Sequence, residues 1–537
     1  MIRRLAAVLG ALLLLISIGC AGNVASRNTL RLGEPDEPDN LNPLFGESSA
    51  TDLADGLLFS YVLRYDAKGN YIPDLATVVP TIKNGGISAN GKRITIHLRR
   101  GVRWADGTPL DARDWLFTYH AVFNPRNNVK TRFAWDDIVS AKAPNRHTIV
   151  IHLKHPMAAF LGIFAIGGSG YPPLPEHLLG RLFDLNHAPF NTAPLASGPF
   201  TLTAWHHGAS LEFSANPRYF RGEPKLAHVR WVVIPNASTM LDALQTHEID
   251  VDPSVGETQV PALSSIRGIH VVRTLLANWR HLGFNCSRPI LRDVRVRRAI
   301  AEGIDWVRIR STIYHGIDLA ATSDVFPESW AAPNIPLYRY DPRKAQALLA
   351  AAGWHRSASG VRQRNGKPLD LTVISGSNRA SNERAEVLMQ AMLGHLGIAL
   401  HIRNFPVSIL FAQNGPIYSG HYDMEWSIYT NGPDPDNSGV WNSTFIPPNG
   451  GNTDWLSDPI VDATSQAAAS TFDQVLRKRL YQQEEERIHQ LVPAVFVYWE
   501  RSTTAISDRV RNYVPAAFIG DSWNAWRWEI APSASHS

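Results

Sequence analysis

Three aspartates lie within nine residues of one another in the stretch WADGTPLDARDW: Asp106, Asp111 and Asp114. Carboxylates this close together can act as general acid and general base in catalysis. The local pattern favours a structural explanation, because an Asp-Gly pair is typical of a turn and an aspartate before a helix is typical of an N-cap. The residues after Asp111 have the helical spacing of one apolar face: Trp115, Leu116, Tyr119 and Val122. We therefore predict a turn and a capped helix here, with Asp114 near a capping-box position, and no active site.

One stretch comes close to a nucleotide-binding motif. Residues 86–93, GISANGKR, nearly match the phosphate-binding loop G-x-x-x-x-G-K-[ST]. Arg93 replaces the hydroxyl residue that would bind magnesium, and the stretch precedes a strand instead of joining a strand to a helix. It therefore predicts a turn before a strand.

Other catalytic and metal-binding motifs are missing from the sequence. It contains neither H-E-x-x-H nor C-x-x-C, and GGSGY at 167–171 lacks the spacing of a nucleophile elbow. His206 and His207 are adjacent, so their rings would point to opposite faces of a strand and chelate poorly. We expect no catalytic residue, metal site or cofactor. An exported hydrolase stays open as a different class of function, although it would need a nucleophile or metal set that the sequence does not reveal.

The charge of the chain argues against nucleic acid as a partner. The formal net charge is +4, and Arg3 and Arg4 lie in a segment typical of a cleaved export signal. A mature chain would carry about +2 spread over a large surface, which is too little for a nucleic-acid footprint.

The N-terminus indicates export. The apolar run 5–18 has about 14 residues, which suits a signal peptide and falls short of the ~20 that span a bilayer. Cys20 follows directly, as the lipid-bearing cysteine of a bacterial lipoprotein would, although Ser17 stands where leucine is usual. The alternative is a plain secretory signal whose cleavage removes Cys20. With either signal, Cys286 is the one cysteine in the body of the chain, and we expect it to be a buried structural thiol.

The rest of the chain predicts a mixed α/β fold. Strands are expected at 93–99, 147–152 and throughout 197–250, which ends in a short helix at 239–246. After about residue 288 the pattern changes to a helix capped by Asp293 and a β-α-β unit over 369–404. On the capped helix, three arginines are predicted to lie mostly on the outer face: Arg295, Arg297 and Arg298.

Eight stretches, in order between about residues 28 and 505, resemble motifs of the extracytoplasmic solute-binding proteins of family 5, the peptide- and nickel-binding receptors of ABC importers. They are YVLRYDAKGNYIPDLA (61–76), ITIHLRRGVRWADGTPLDARDW (94–115), SGPFTL (197–202), NPRYFRGEPKL (216–226), ALQTHEIDV (243–251), NCSRPILRDVRVRRAIAEGID (285–305), GWHRSASGVRQRNGKPL (353–369) and GPDPDN (432–437). Each stretch alone is a weak match, whereas eight in order are specific.

The resemblance implies an α/β fold of the two-lobed periplasmic-binding-protein type, in its large three-domain variety with a hinge. After the predicted signal peptide (1–20) and a polar tether (21–29), the implied parts are lobe I (30–64, 191–280 and 495–537), domain II (65–190) and lobe III (281–494). It also implies a monomeric receptor in the periplasm or on the outer face of the cell membrane, anchored there by an N-terminal lipid. The receptor would capture a peptide-like solute by lobe closure and deliver it to a membrane permease. A sugar, a nickel chelate or a sensor role stays open.

The resemblance also implies ligand-binding residues. In peptide-binding members an aspartate in a tryptophan-containing loop binds the α-amino group of the peptide, and here that position falls on Tyr429 or Asn431, which carry no charge. Asp434 or Asp436 is the candidate substitute, with simple turn chemistry as the alternative for Asp434. Glu47 matches a lobe I position that contacts ligand in oligopeptide receptors. Two aromatic candidates complete the set, Trp426 and Trp441, and a core position is the alternative for Trp426.

Overall fold

The computed structural model describes residues 28–256, 259–263, 265–377, 379–518 and 520–531. The predicted signal peptide, the lipid attachment at Cys20 and most of the predicted tether lie outside the described residues.

Helices and strands alternate along the described chain. The helices are α1 (Ser49–Leu58), α2 (Ala112–Phe123), α3 (Glu176–Leu179), α4 (Ala237–Gln245), α5 (Val260–Leu263), α6 (Val294–Gly303), α7 (Trp306–Ile313), α8 (Pro342–Ala351), α9 (Ala380–Leu396), α10 (Val407–Leu410), α11 (Ser438–Trp441), α12 (Pro459–Ser470) and α13 (Gln474–Leu491). The strands are β1 (Thr29–Glu34), β2 (Leu63–Tyr65), β3 (Tyr71–Pro73), β4 (Arg93–His97), β5 (Ile138–Asn145), β6 (Thr148–Leu153), β7 (Phe200–His206), β8 (Ser210–Ala215), β9 (His228–Val233), β10 (Val251–Asp252), β11 (Ile269–Phe284), β12 (Leu319–Ala320), β13 (His355–Arg356), β14 (Arg362–Arg364), β15 (Lys367–Pro368), β16 (Asp370–Gly376), β17 (Ala399–Phe405), β18 (Met424–Thr430), β19 (Ala494–Ser507), β20 (Val510–Arg511) and β21 (Glu529–Ile530).

Contacts divide the chain into two compact units. Unit 1 contains the described residues of 1–154, 160–274 and 502–537, and unit 2 contains 155–159 and 275–501. The finer division into lobe I, domain II and lobe III stays a prediction.

Unit 1 contains a mixed sheet and a smaller antiparallel one. In the mixed sheet β10, β1, β9, β8 and β7 are neighbours in that order, with β1 parallel to both β10 and β9. The smaller sheet has the order β4-β6-β5. Ile94 and Ile96 of β4 are buried while Arg93 and His97 are exposed, so the predicted alternation is confirmed. The stretch 86–93 makes turns that lead into β4, as predicted, because Ser88 accepts hydrogen bonds from Gly91 and Arg93.

The closely spaced aspartates have the predicted structural roles. Asp111 caps α2, and its backbone N–H donates to Asp114 Oδ2 over 2.9 Å, which completes a capping box. Burial raises the pKa of Asp114 to about 6, although the hydrogen bonds that it accepts from the backbone of Asp111 and Glu176 act to lower this pKa. Asp106 accepts a backbone hydrogen bond from Thr108 within the turn. The expected helix at 239–246 begins two residues earlier, because Asn236 accepts from the N–H groups of Ser238 and Thr239.

Unit 2 contains the predicted β-α-β arrangement. β16 and β17 are parallel and α9 connects them, while β18 lies beside β16 and pairs antiparallel with β11. The hydrophobic core of this unit packs the helices against the sheet and includes the fully buried residues Phe284, Ile300, Val373, Leu393 and Trp426.

One prediction about the arginines of α6 is wrong. Arg297 is 4% exposed instead of lying on an outer face. Its Nε donates to the backbone carbonyls of Leu491 (3.0 Å) and Val492 (2.9 Å), where α13 ends. The guanidinium thereby satisfies carbonyls that have no partner within their own helix.

In the part of the chain that the structure describes, no helix combines the length and the apolar character that a membrane span requires.

Candidate functional site

The five candidate residues of unit 2 lie on β18 and on the segment that follows it. β18 pairs with β11, and Tyr429 is opposite Trp279 in this ladder. The two rings are 5.5 Å apart between centroids. Tyr429 is partly exposed, and burial raises the pKa of its hydroxyl to about 12. The hydroxyl is therefore neutral near pH 7 and able to donate a hydrogen bond.

Trp426, also on β18, is fully buried. Its ring stacks on Trp306 with centroids 6.3 Å apart, and the guanidinium of Arg280 lies 5.4 Å from the ring centre. These are the contacts of a core residue, which is the alternative that the sequence left open. A direct ligand contact by Trp426 stays a prediction.

Asn431 and Trp441 are both bound to Asp324, which the sequence analysis did not single out. Asn431 accepts a hydrogen bond from Trp279 Nε1 (2.8 Å) and donates to the backbone carbonyl of Asp324. The indole of Trp441 is fully buried and donates to Asp324 Oδ2 over 2.8 Å. Asn437 donates to Asp324 Oδ1 (3.4 Å) and to Glu485 Oε1 (3.1 Å). Asp324 thus holds the segment 431–441 in place.

Asp434 forms an ion pair within unit 2. Arg477 donates to both of its carboxylate oxygens, at 3.0 and 2.5 Å, and also to the hydroxyl of Tyr481 at 2.9 Å. The side chains of Asp434 and Arg477 are only 14% and 7% exposed. Burial opposes the charge of Arg477, yet Asp434 holds the pKa of this guanidinium above its ordinary value. The Asp434 carboxylate is therefore already neutralised by a side chain.

Further carboxylates are buried beside this segment on α13. Glu484 and Glu485 are 0% and 1% exposed, and neither oxygen of Glu484 has a hydrogen-bond partner among the described residues. Burial, followed by the charge of Asp324, raises the pKa of both groups well above the ordinary value. In the sequence these residues belong to the run QQEEER, which has the pattern of a solvated helix face and gives no signal of burial.

Glu47, the candidate in unit 1, is held through its backbone. Asp39 accepts hydrogen bonds from the N–H of Glu47 (3.0 Å), from Ser48 N–H (3.2 Å) and hydroxyl (2.8 Å), and from the hydroxyl of Thr51 (2.7 Å). Although burial opposes its ionisation, these bonds, that from Thr51 foremost, lower the pKa of Asp39 to about 2. Ser48 in turn caps α1. The carboxylate of Glu47 is exposed and makes no hydrogen bond or ion pair with any described residue.

A cavity of 460 Å³ in unit 1 is lined by Glu47 together with residues of two other segments. They include Lys130, whose ammonium lies 5.8 Å from the ring centre of Tyr171, and Phe133, which is 68% exposed. The cavity therefore offers the unpaired Glu47 carboxylate, the Lys130 ammonium near the partly buried Asp52 carboxylate, and an aromatic surface. Such a set can bind a solute that carries charges of both signs and an apolar part.

Comparison with known proteins identifies the family. Residues 70–451 match the model of the bacterial extracellular solute-binding proteins, family 5 Middle, which covers more than half of the chain. The chain belongs to this family. The match confirms the resemblance seen in the sequence, and the family description places its members outside the cell.

The chain is similar to family members along nearly its whole length. Its sequence is 26% identical over 523 residues to the oligopeptide-binding protein AppA of Bacillus subtilis strain 168, and the alignment covers 95% of this chain and 93% of AppA. The structure of AppA in complex with a nonapeptide superposes with a TM-score of 0.75 at 24% identity, covering 94% of this chain and 99% of that one. The structure of NikZ from Campylobacter jejuni in complex with Ni(L-His) gives a TM-score of 0.76 at 25% identity, with coverages of 94% and 99%. These likenesses confirm the predicted α/β fold class.

Proposed function

We propose that this family 5 protein is the substrate receptor of an ABC importer, and that it captures a peptide-like solute and releases it unaltered to a membrane permease. The observation that carries the proposal is the similarity to the oligopeptide-binding protein AppA, which spans nearly the full length of both chains.

The chemistry around Glu47 supports a solute with a free amino group. A carboxylate without a partner in the chain can accept charge-assisted hydrogen bonds from an ammonium group. Lys130 of the same cavity can bind a carboxylate of the solute. Within unit 2, the neutral hydroxyl of Tyr429 is a separate candidate donor to a peptide carbonyl.

A nickel chelate is the second candidate solute. The structure of NikZ with Ni(L-His) is as similar to this chain as that of AppA, with TM-scores of 0.76 and 0.75. The chelate also carries amino and carboxylate groups, so the Glu47 cavity alone does not separate the two candidates.

The deciding experiment is titration calorimetry of the purified chain, stripped of bound solute by unfolding and refolding. The panel contains peptides of two to nine residues, the same peptides with acetylated amino termini, and the nickel–histidine chelate. We expect at least one free-amine peptide to bind with Kd near ~1 μM, which corresponds to roughly 8 kcal/mol. Acetylation should weaken that binding about tenfold.

Two results would overturn the peptide assignment. Binding of the nickel chelate with no binding of any peptide would select the second candidate. Cleavage of a bound peptide, detected by mass spectrometry after prolonged incubation, would instead favour an exported hydrolase.

Lobe closure on binding also stays a prediction. A receptor that closes shifts its population toward the closed form when the solute is present. Small-angle X-ray scattering with and without a bound peptide should therefore show a smaller radius of gyration in the complex. An unchanged radius would contradict closure while leaving binding itself unaffected.

We further propose that Cys20 carries the lipid anchor. The apolar run and the cysteine that follows it support this assignment. In a bacterial host, labelled palmitate should be incorporated into the wild-type chain and absent from Cys20→Ala. Equal labelling of the two chains would rule out Cys20 as the acylated residue.

A further inference from the structure

Three side chains of the kinds that bind metal ions meet inside unit 2. They are His281 on β11, Glu425 on β18, and Asp454 in the segment before α12. Each is 5% exposed or less, and one potential ligand atom from each lies within 4.8 Å of the others. They come from three separate parts of the chain, so only the fold brings them together.

Strand register explains the meeting of the first two. In the β11–β18 ladder His281 is opposite Ser427 and Gly283 is opposite Glu425, and residues two apart on a strand share a face. His281 Nε2 lies 3.7 Å from Glu425 Oε1. Two ligands of a tetrahedral zinc ion, each ~2.05 Å from the metal, are roughly 3.3 Å apart, so this separation needs only a small adjustment.

Gly283 leaves the space into which Asp454 points. A Cβ at position 283 would lie 2.3 Å from Asp454 Oδ1 and 3.2 Å from Glu425 Oε1. Any side chain there would therefore fill the gap between the two carboxylates. The backbone carbonyl of Asp454 accepts a hydrogen bond from Cys286 N–H at 2.8 Å, which fixes the segment against the end of β11.

Asp454 Oδ1 is buried without a hydrogen-bond partner in the described chain. His281 Nε2, the ring nitrogen that faces Glu425, has the hydroxyl of Ser427 at 3.3 Å, a contact that an ion would replace. The Glu425 carboxylate lies near His281 and accepts hydrogen bonds from two neutral hydroxyl groups, those of Thr453 at 3.0 Å and Ser427 at 3.3 Å. The nearby guanidinium of Arg297 is engaged with backbone carbonyls. Two buried carboxylates without a permanent side-chain cation are costly unless a cation or protons neutralise them.

We propose that His281, Glu425 and Asp454 bind a divalent transition-metal ion of the Zn²⁺ class. An imidazole nitrogen suits zinc and its neighbours, and carboxylate oxygens are accepted by the same ions. The ion would neutralise both carboxylates and join β11, β18 and the segment around Asp454. The ligand atoms that lie farthest apart in this group would move closer together to bind one ion. This structural site is independent of the solute and of the proposed transport function.

Zinc binding is tested on the full chain, unfolded with chelator, refolded and kept free of peptide. The measurements are bound zinc per chain by plasma mass spectrometry after gel filtration, and the Tm with zinc, with calcium and with neither. We expect one zinc per chain and a higher Tm with zinc alone. X-ray absorption at the zinc edge should show nitrogen and oxygen ligands without sulfur.

Variants locate the site. Asp454→Asn and His281→Gln should each lower zinc occupancy at least tenfold and abolish the zinc-dependent rise in Tm. Gly283→Ala should do the same by filling the gap. The matched control is Glu484→Gln, which alters another fully buried, unpartnered carboxylate and should keep the zinc response. If Asp454→Asn fails to fold, His281→Gln and Gly283→Ala carry the test.

Three outcomes would overturn the proposal. If the variants bind as much zinc as the wild type, the zinc site lies elsewhere in the chain. A Tm that rises with calcium and not with zinc excludes the transition-metal class. In the third outcome the wild-type chain takes up no zinc, while Asp454→Asn raises its stability equally with and without metal. That pair of results would show that protons neutralise the buried carboxylates.

Discussion

Glu47 and Asp434 are both carboxylates predicted to contact the solute, and their surroundings differ. Asp434 is a mostly buried side chain that accepts two hydrogen bonds from Arg477. Glu47 is exposed and unpaired within the described chain, while the neighbouring Asp39 accepts the hydrogen bonds that fix its backbone. A carboxylate already neutralised by the protein has little to offer an ammonium group. Glu47 therefore stays the stronger candidate for a contact with the solute, whereas the Asp434 carboxylate is engaged with Arg477 inside unit 2.

The largest effect is expected from breaking the buried ion pair. Arg477→Met leaves the Asp434 carboxylate mostly buried without its partner, which should lower the free energy of unfolding by about 3 kcal/mol. Urea unfolding followed by tryptophan fluorescence measures this loss. The double variant with Asp434→Asn should recover most of it. A single variant that loses less than about 0.5 kcal/mol would mean that Asp434 does not depend on Arg477 and is available to a solute.

The next largest effect concerns Asp324, which holds the segment containing Asp434. Trp441→Phe removes the indole N–H that donates to this buried carboxylate and should cost about 2 kcal/mol in unfolding free energy. Trp115→Phe is the control, since this indole is also fully buried but its N–H has no partner in the described chain, so the variant loses the same ring volume without a hydrogen bond and should cost less. Equal losses of unfolding free energy in the two variants would show that the hydrogen bond to Asp324 does not stabilise the fold.

Glu47→Gln should change binding and not stability. We expect it to weaken a free-amine peptide about tenfold, or about 1.4 kcal/mol, because a charge-assisted bond becomes a neutral one. An acetylated peptide should bind both forms equally, and the unfolding midpoint should not move. Glu248→Gln removes an exposed carboxylate elsewhere in unit 1 and serves as the matched control. Unchanged affinity for the free-amine peptide would remove Glu47 from the site.

The smallest effect should come from Asp39, which supports Glu47. Its pKa of about 2 lies below the ordinary 3.8, so the stability it provides is complete above about pH 4 and is lost as the pH falls through 2. Because Asp39 is exposed, solvent screening reduces this contribution, and Asp39→Asn should cost only about 0.5 kcal/mol at pH 7. Urea titrations at pH 7 and pH 2.5 should show the difference between the two chains shrinking. A difference that grows in acid would contradict this assignment.

Predictions from local patterns agreed with the structure where neighbouring residues decide the outcome. The capping box at Asp111, the alternating strand at β4 and the β-α-β unit over β16, α9 and β17 follow from cap chemistry and apolar spacing. Arg297 was misplaced because a helical pattern assigns a face and does not reveal which carbonyls lie opposite it.

The candidate site was only partly predictable. The family motifs led to Glu47, Tyr429 and Asp434, but nothing in the sequence linked Asp434 with Arg477, which lies 43 positions away. Whether a carboxylate is free or paired depends on its neighbours in space. The same limit hid Asp324, which anchors Asn431 and Trp441 from more than a hundred positions away.

By itself, the sequence determined the family, the α/β class and most of the helices and strands, because apolar periodicity, caps and ordered motifs are local properties of the chain. Only the tertiary structure decided the electrostatics. It paired Asp434 with Arg477, left Glu47 unpaired, and gathered His281, Glu425 and Asp454 into one buried group. The energy of a charge depends on its burial and on the charges around it, and both are set by contacts between distant parts of the chain.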